Sequence, residues 1–512
     1  MTTLTPRFTK GAAVATAAVL LGSLAACSSP AAPDTSTVTI AYNSDLAPQG
    51  YDPLRYSAAQ GLLFSGLYDS LAELQPDGSA GPGLATDFAY NDDNTVLTMT
   101  LLDGIEFPDG STLTADLVKA NLDRRSDPEL VAYGSFAAGG AAEISSVDVV
   151  DDTHVAVTFV EGQPGFESNL TAVAGSIVGQ DGIDDPSSLA TTPDGSGPFG
   201  LADNTVKGSS YVLEKKSDHR NLDDYAFDTM IIKPIDDAQA RVNAVISGQA
   251  DTGFIDTSTA QVAEDKGKSL SQIGGTVMSA LVFDKSGATT PAFADPNVRV
   301  ALGLAIDRDE LVEGVHPGNT PAVNALPADN PGFSDDIDSE YAYDPERAKQ
   351  MLADAGYPDG FEFEVVSAPA DQRDYEALQT YFAAVGVTMN ISLATSTDEL
   401  FGAVNTKPIG LLAVNWGNPV GTMFGVVLGF ANPRGDVNEA LVGATQAVAG
   451  AQSDDDRAAA LTDLNSVLVT TGWIIPIYEQ VTTWAYDASK LAPITFPGGN
   501  DTPLLSSFKP AK

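Results

Sequence analysis

Three consecutive segments of this sequence limit its fold more than any others. Phe361–Val366 reads as a strand, Asp374–Ala384 as a helix and Val387–Leu393 as a strand again. Strands joined through a helix pair in parallel, because such a crossover is no hairpin and has to pack back onto the sheet. The chain is therefore α/β. Segments elsewhere agree with that class. Val38–Tyr42 reads as a strand and Ser57–Asp69 as a helix. Asp87–Tyr90 and Thr95–Leu102 form a hairpin around Asn91-Asp92-Asp93-Asn94, and Val147–Val150 with His154–Val160 repeat the pattern. Thr114 caps a helix running to Asp127, and Ala238–Ser247 is a helix stopped by Gly248. Two further helices open on Asp295-Pro296 and Asp344-Pro345, where the aspartate caps and the proline suits the first turn.

The N-terminal stretch speaks to compartment. Arg7 and Lys10 precede an uncharged segment, Gly11–Ala26, whose apolar run Ala12–Leu24 is near the length of a signal-peptide core and short for a membrane span. It ends in Leu24-Ala25-Ala26-Cys27, which resembles the bacterial lipobox. That resemblance implies cleavage before Cys27 and a diacylglycerol thioether on its thiol; a secretory peptide without lipid is the other reading. Residues 1–26 are then a leader, and 27–37 a flexible tether rich in Ser, Pro and Ala. Cys27 is the single cysteine, so no intramolecular disulfide can form.

Charge removes whole classes of partner. With 69 Asp+Glu against 26 Lys+Arg, the formal charge is −43. A nucleic-acid partner needs a basic patch, and electrostatic seating on anionic lipid needs the same sign of charge. The histidines, His154, His219 and His316, show no zinc-ligand spacing, and there is no P-loop, dinucleotide fingerprint or G-x-S-x-G elbow. No cofactor and no metal are expected. A triad assembled from distant positions around one of the three histidines stays open. Aromatic residues at predicted strand ends, Tyr42, Tyr51, Tyr56, Phe199 and Trp416, the last beside Gly417 and Pro419, are candidates to line a ligand cleft. Core packing is the competing role for each.

Several motifs, taken in order, resemble the extracytoplasmic solute-binding proteins of ABC importers, of the peptide/nickel (oligopeptide and dipeptide) type. They are Tyr51-Asp52-Pro53, Gly66-Leu67-Tyr68-Asp69-Ser70-Leu71 with Pro82-Gly83-Leu84-Ala85-Thr86, and LLDGIEFPDGSTL over Leu101–Leu113. Gly195-Ser196-Gly197-Pro198-Phe199, Ser247-Gly248-Gln249-Ala250-Asp251, NVRVALGLAIDRDEL over Asn297–Leu311 and Ile475-Pro476-Ile477-Tyr478 continue the series.

The resemblance implies a two-lobed periplasmic-binding-protein (Venus flytrap) fold with a subdomain inserted in lobe I. Lobe I would take 38–278 with the insert at about 57–170, lobe II 279–476, and 477–512 would return to lobe I. It further implies a lipid-anchored, extracytoplasmic monomer that binds a peptide or peptide-like solute, closes, and docks on an ABC permease with its ATPase, with no enzymatic role. The implied ligand contacts are Tyr56 and Ser57, Tyr133 in the insert, Phe283 at the interlobe crossing, and Asn415, Trp416 and Gly417.

The sequence departs from the family at informative places. Leu102 and Pro108 stand where an arginine and a histidine are common, in a segment whose role is structural. The loop Trp416-Gly417-Asn418-Pro419-Val420 has no acid before Asp436, whereas peptide binders place an aspartate there for the peptide's amino group. An unpaired buried ammonium is expensive, so a free-amine dipeptide fits poorly. Nickel-chelate or metallophore binding is the alternative within the family. Against it, Ala172-Val173-Ala174-Gly175 stands where such binders carry an arginine, and no histidine follows Trp416. A lipid-tethered hydrolase and a receptor that reports ligand to a signalling partner are the readings outside it.

Overall fold

The computed structural model describes residues 36–56, 60–75, 79–127, 130, 144–417, 419–451, 453–497 and 502–512. Cys27, the leader, most of the tether, Ser57 and Tyr133 lie outside the described residues. The chain opens with β1 (Thr37–Tyr42) and then leaves for the inserted subdomain. There β2 (Ala72–Leu74) pairs with β3 (Ala80–Pro82), while β4 (Ala85–Tyr90), β5 (Val96–Leu101), β6 (Ile144–Asp151) and β7 (His154–Phe159) form an antiparallel sheet in the order β4-β5-β7-β6. Alternate residues Leu97, Met99, Val155 and Val157 point inward and are fully buried. The helix Ala115–Asp123 packs Leu117, Val118 and Leu122 into the same core, its end capped by Thr114 Oγ1, which accepts the Leu117 amide at 3.1 Å. Past Asp123 the helix tightens into a 3-10 turn, Arg124–Ser126, short of the expected Asp127.

Of the helix expected over Ser57–Asp69, Gly61–Leu67 is helical among the described residues, and its end explains two of the motifs at once. Gly197 donates its amide to Leu67 O at 3.1 Å, and Ser196 Oγ donates to Asp69 Oδ2 at 2.8 Å. A Cβ on Gly195 or Gly197 would fall 2.3 and 2.5 Å from the Leu67 backbone. The two glycines are there because the strand entering β8 runs against bare main chain.

Next come β8 (Phe199–Leu201), β9 (Tyr211–Lys215), β10 (Thr229–Pro234), β11 (Thr252–Ile255), the long β12 (Ser269–Val282) and β13 (Thr320–Pro321). β14 (Glu362–Ser367) and β15 (Thr388–Leu393) pair in parallel through the helix Gln372–Ala384, as the crossover argument requires. β16 (Ile409–Asn415) and the long β17 (Ile474–Tyr486) complete the set. The main sheet runs β16-β12-β17-β11-β1-β10-β9-β8, with β13 on β17.

That sheet serves two lobes. Val38, Ile40 and Tyr42 share one core with Trp484, Tyr486 and Phe508. Val298, Ala301, Leu302 and Ile306 share another with Ile475 and Ile477. The second lobe is pinned by two buried guanidiniums from the NVRVALGLAIDRDEL motif. Arg299 donates to Phe293 O at 2.6 Å and Thr471 O at 2.7 Å; Arg308 donates to Pro476 O at 2.9 Å and Gly303 O at 3.0 Å. Each gathers several backbone carbonyls around one buried cation.

Candidate interlobe site

Among the described residues β12 and β17 are the strands that run through both lobes, and their ladder has a defect partway along. Pairing runs from Ser269↔Tyr486 to Ile273↔Thr482, then resumes at Thr276↔Gln480, so Gly274 and Gly275 face Val481 alone. This is a β-bulge, and it releases backbone groups that need new partners. Three lobe II residues supply them. Glu479 Oε1 accepts the Gly275 amide at 3.1 Å, Asn319 Oδ1 accepts the Val481 amide at 3.2 Å, and Gly275 O accepts the Trp416 amide at 3.0 Å. Glu479 is buried, and its Oε2 accepts the Ala328 amide at 3.3 Å. Both glycines are required. Gly275 has φ +104, and a Cβ on Gly274 would sit 1.9 Å from Glu479 Oε1. Gly318, one residue before Asn319, lies against Thr257 of the first lobe, so the loop touches both sides.

Among the expected contact residues, Asn415 and Gly417 stand at this crossing. Asn415 Nδ2 donates to Thr276 Oγ1 at 3.1 Å, its Oδ1 accepts the Gly417 amide at 2.9 Å, and Gly417 is exposed. Trp416 has its backbone there, but its side chain is only 2% exposed and packs in the second lobe's core with Val414, Met423 and Trp473. The core role therefore holds for its ring in this conformation. The indole Nε1 is buried without a hydrogen-bond partner.

Phe283, expected at the crossing, lies past the far end of β12. Its ring fills the space over Gly410 and meets Phe430 edge-on at 6.3 Å, because the crossing falls at the glycine pair instead. Tyr56 is buried in the first lobe. Its hydroxyl donates to Gly50 O at 2.9 Å and accepts the Gln49 amide at 2.8 Å, closing the loop that holds Tyr51. Burial pushes this phenol up to about 12.

A second polar cluster occupies the junction of the insert and lobe I. Asp69 accepts from His219 Nε2 at 3.1 Å, Arg220 Nη1 at 2.8 Å and Ser196 Oγ. Burial alone would raise this carboxyl, but the His219 hydrogen bond and the Arg220 guanidinium bring it down to about 2. His219 Nδ1 accepts the Asn221 amide at 3.1 Å, so its proton is on Nε2, aimed at Asp69. The serine is bound to the acid and not to the imidazole, the reverse of a nucleophile–base pair. His316 Nε2 meets Asp374 Oδ1 at 2.7 Å and Tyr478 OH at 3.1 Å, and His154 pairs with Asp151 on an exposed turn. Among the described residues no group of three or more His, Cys, Asp or Glu is placed to hold a metal ion. Two cavities, of about 620 and 500 Å³, also open at the junction and not at the crossing.

The sequence reading missed Gly274, Gly275, Glu479 and Asn319. The signal for the first two was present: paired glycines inside the strand run SLSQIGGTVMSALV mark a bulge or close approach. Glu479 and Asn319 carry no local signal, since their roles depend on where the strands cross.

Two α/β lobes sharing one sheet through a pair of bulged strands define a two-lobed binding protein. The comparisons sharpen this. Residues 79–437 match the model of the bacterial extracellular solute-binding proteins, family 5, and the chain belongs to that family. It is 28% identical over 334 residues to the glutathione-binding protein of Salmonella paratyphi A, a match spanning 64% of this chain and 63% of the relative's length. With the dipeptide-binding protein of Escherichia coli it is 26% identical over 392 residues, 69% of this chain and 71% of that one. Its fold is similar to that of a periplasmic binding protein of Helicobacter pylori in complex with the peptide STSA. The TM-score is 0.72 at 18% identity, covering 93% of this chain and 98% of that one.

Proposed function

We propose that the chain is the receptor of an ABC importer, binding a peptide or peptide-like solute between its lobes and presenting the closed form to the permease. The bulged double-strand crossing carries this reading: among the described residues it is where the lobes share backbone, and it has glycines of the kind a hinge can use. On this reading the lobes change over near Gly274–Gly275 and Gln480–Val481, a few residues from the bounds at 278/279 and 476/477 that the family resemblance implies. Closure would bring Asn415 and Gly417 toward the Tyr56 loop; Ser57 and Tyr133 stay part of the proposed ligand contacts. The anchor at Cys27 and the monomeric state belong to the same proposal.

The lobe II wall bears on the ligand. From Pro408 to Pro433 no residue is charged, so nothing in the stretch that holds Asn415 and Gly417 would pair an ammonium. We infer a ligand whose amino end is blocked or absent on that side.

A thermal-shift panel tests both levels, using the full chain with di- to octapeptides, free and N-acetylated, and nickel with histidine. A true ligand at ~100 times its dissociation constant adds about 2.7 kcal/mol of stability. Acetylated peptides are expected to stabilise more than free ones. The peptide reading fails if neither form moves the transition, and the blocked-end reading fails if free peptides stabilise equally.

A further inference from the structure

The cavity of about 620 Å³ at the junction has a property at odds with the rest of the molecule. Its wall carries Lys207 and Lys216 against one carboxylate, Asp203, in a chain whose overall charge is −43. Lys216 also borders the neighbouring cavity of about 500 Å³, so the residue is common to both walls. It donates one hydrogen bond, to Gly195 O at 3.2 Å, and forms no ion pair among the described residues. An ammonium has three donors, so two are uncommitted to protein acceptors. Of the acids that act on Lys216, Asp69 is held by His219, Arg220 and Ser196, Asp194 accepts the Gly182 amide at 3.1 Å, and Asp218 is exposed. Burial lowers the Lys216 pKa, and the attraction of Asp69, Asp218 and Asp194 offsets this only in part. The rest of the wall is largely apolar, and the accessible part of it is Pro108, Pro193, Leu201 and Ala202. The volume falls within the ~300–1,000 Å³ of small-molecule sites.

We propose that this cavity is a second ligand site, separate from the interlobe cleft, that takes a small organic anion with its acidic head on Lys216 and its apolar body against Pro108, Pro193 and Leu201. The occupant completes the hydrogen bonding of Lys216, whose one protein acceptor is Gly195 O. It also lies behind the loop closed by Tyr56, since Tyr51 donates its amide to Leu189 O at 2.6 Å and Ala190 continues the same wall.

Isothermal titration of the full chain with hexanoate, benzoate and phenyl phosphate tests the site, with hexanol and benzyl alcohol as neutral counterparts. Saturable binding of at least one anion is expected, with the matching alcohol weaker by about tenfold or more, ~1.4 kcal/mol. Two variants locate it. Lys216→Met removes the head-group partner. Gly200→Leu fills the cavity from its wall, where a Cβ meets no atom within 4 Å, so the backbone of β8 is undisturbed even if the lysine variant folds poorly. Both are expected to weaken the anion by about tenfold or more, while Lys216→Arg retains binding. The proposal is overturned if none of the three anions saturates, if an alcohol binds as tightly as its anion, or if the folded Gly200→Leu protein binds like the parent. Because these probes are not peptides, their outcome is independent of what the cleft binds.

Discussion

Replacing Gly274 with alanine separates two opposing effects at the lobe crossing. Gly274 is not among the residues with positive φ, so alanine can adopt its backbone conformation. Through the unfolded chain alone, Gly274→Ala would stabilise by ~0.4–1 kcal/mol. The new methyl, however, would fall 1.9 Å from Glu479 Oε1 and 3.1 Å from Glu479 Cδ, so the carboxylate has to leave. Its departure breaks the bonds from the Gly275 and Ala328 amides, at 3.1 and 3.3 Å. Hydrogen bonds to a charged group contribute ~1.5–3 kcal/mol each, so about 3–6 kcal/mol is at stake and the net loss is about 2–5. In a Glu479→Ala background those bonds are already gone. There, Gly274→Ala is expected to be neutral or to stabilise by ~0.4–1 kcal/mol. Urea unfolding of the parent, the two single variants and the double variant measures the coupling directly. An equal cost in both backgrounds would refute the reasoning, because the damage would then not pass through Glu479.

Two further outcomes are expected. Asp69 has its pKa lowered from 3.8 to about 2 in the fold, so its ionised form adds stability above pH ~4 that is lost as pH falls toward 2. Asp69→Asn should lower stability at pH 7 by about 2 kcal/mol and flatten the acid limb of a stability–pH curve between 4 and 2; an unchanged limb would assign that limb to other carboxylates. Arg308→Lys keeps the charge but cannot span Pro476 O, Gly303 O and Ile306 O together, and should cost about 2–4 kcal/mol in urea unfolding. A loss below ~0.5 kcal/mol would show that those carbonyls find other partners.

Local order was legible wherever a few neighbouring residues decide the outcome. Asp295 and Asp344 cap their helices, accepting the Asn297 and Arg347 amides at 2.8 and 2.9 Å, and Gly248 ends its helix at φ +76. The parallel pair around Gln372–Ala384 followed from connection length alone. The site was less legible, because it is made by contacts between residues far apart in the chain. Nothing near Glu479 announces that its carboxylate will meet Gly275, and nothing near Phe283 separates the start of a crossing from the end of a strand. Trp416 shows the same limit: beside glycine and proline it looked like a cleft wall, yet its ring is buried in the second lobe. The motif Gly195–Phe199 was readable as a turn, but its purpose became clear only with the Leu67 backbone against it.

The returning strand β17 also fixes when the molecule can finish folding. Trp484 is fully buried and packs on Tyr42 at 6.0 Å, Phe254 at 6.2 Å and Phe508 at 5.8 Å. Tyr42 and Trp484 are separated by roughly 440 residues, and closing so long a loop carries an entropic cost of roughly 5 kcal/mol beyond its constant part. The earliest strand to emerge thus waits for one of the last, and a growing chain holds an incomplete first lobe for nearly the whole of its synthesis. Contacts this distant make for slow maturation. A polypeptide stopped short of Trp484 would lack the second sheet neighbour of β11 and the central aromatic ring of the lobe that began it.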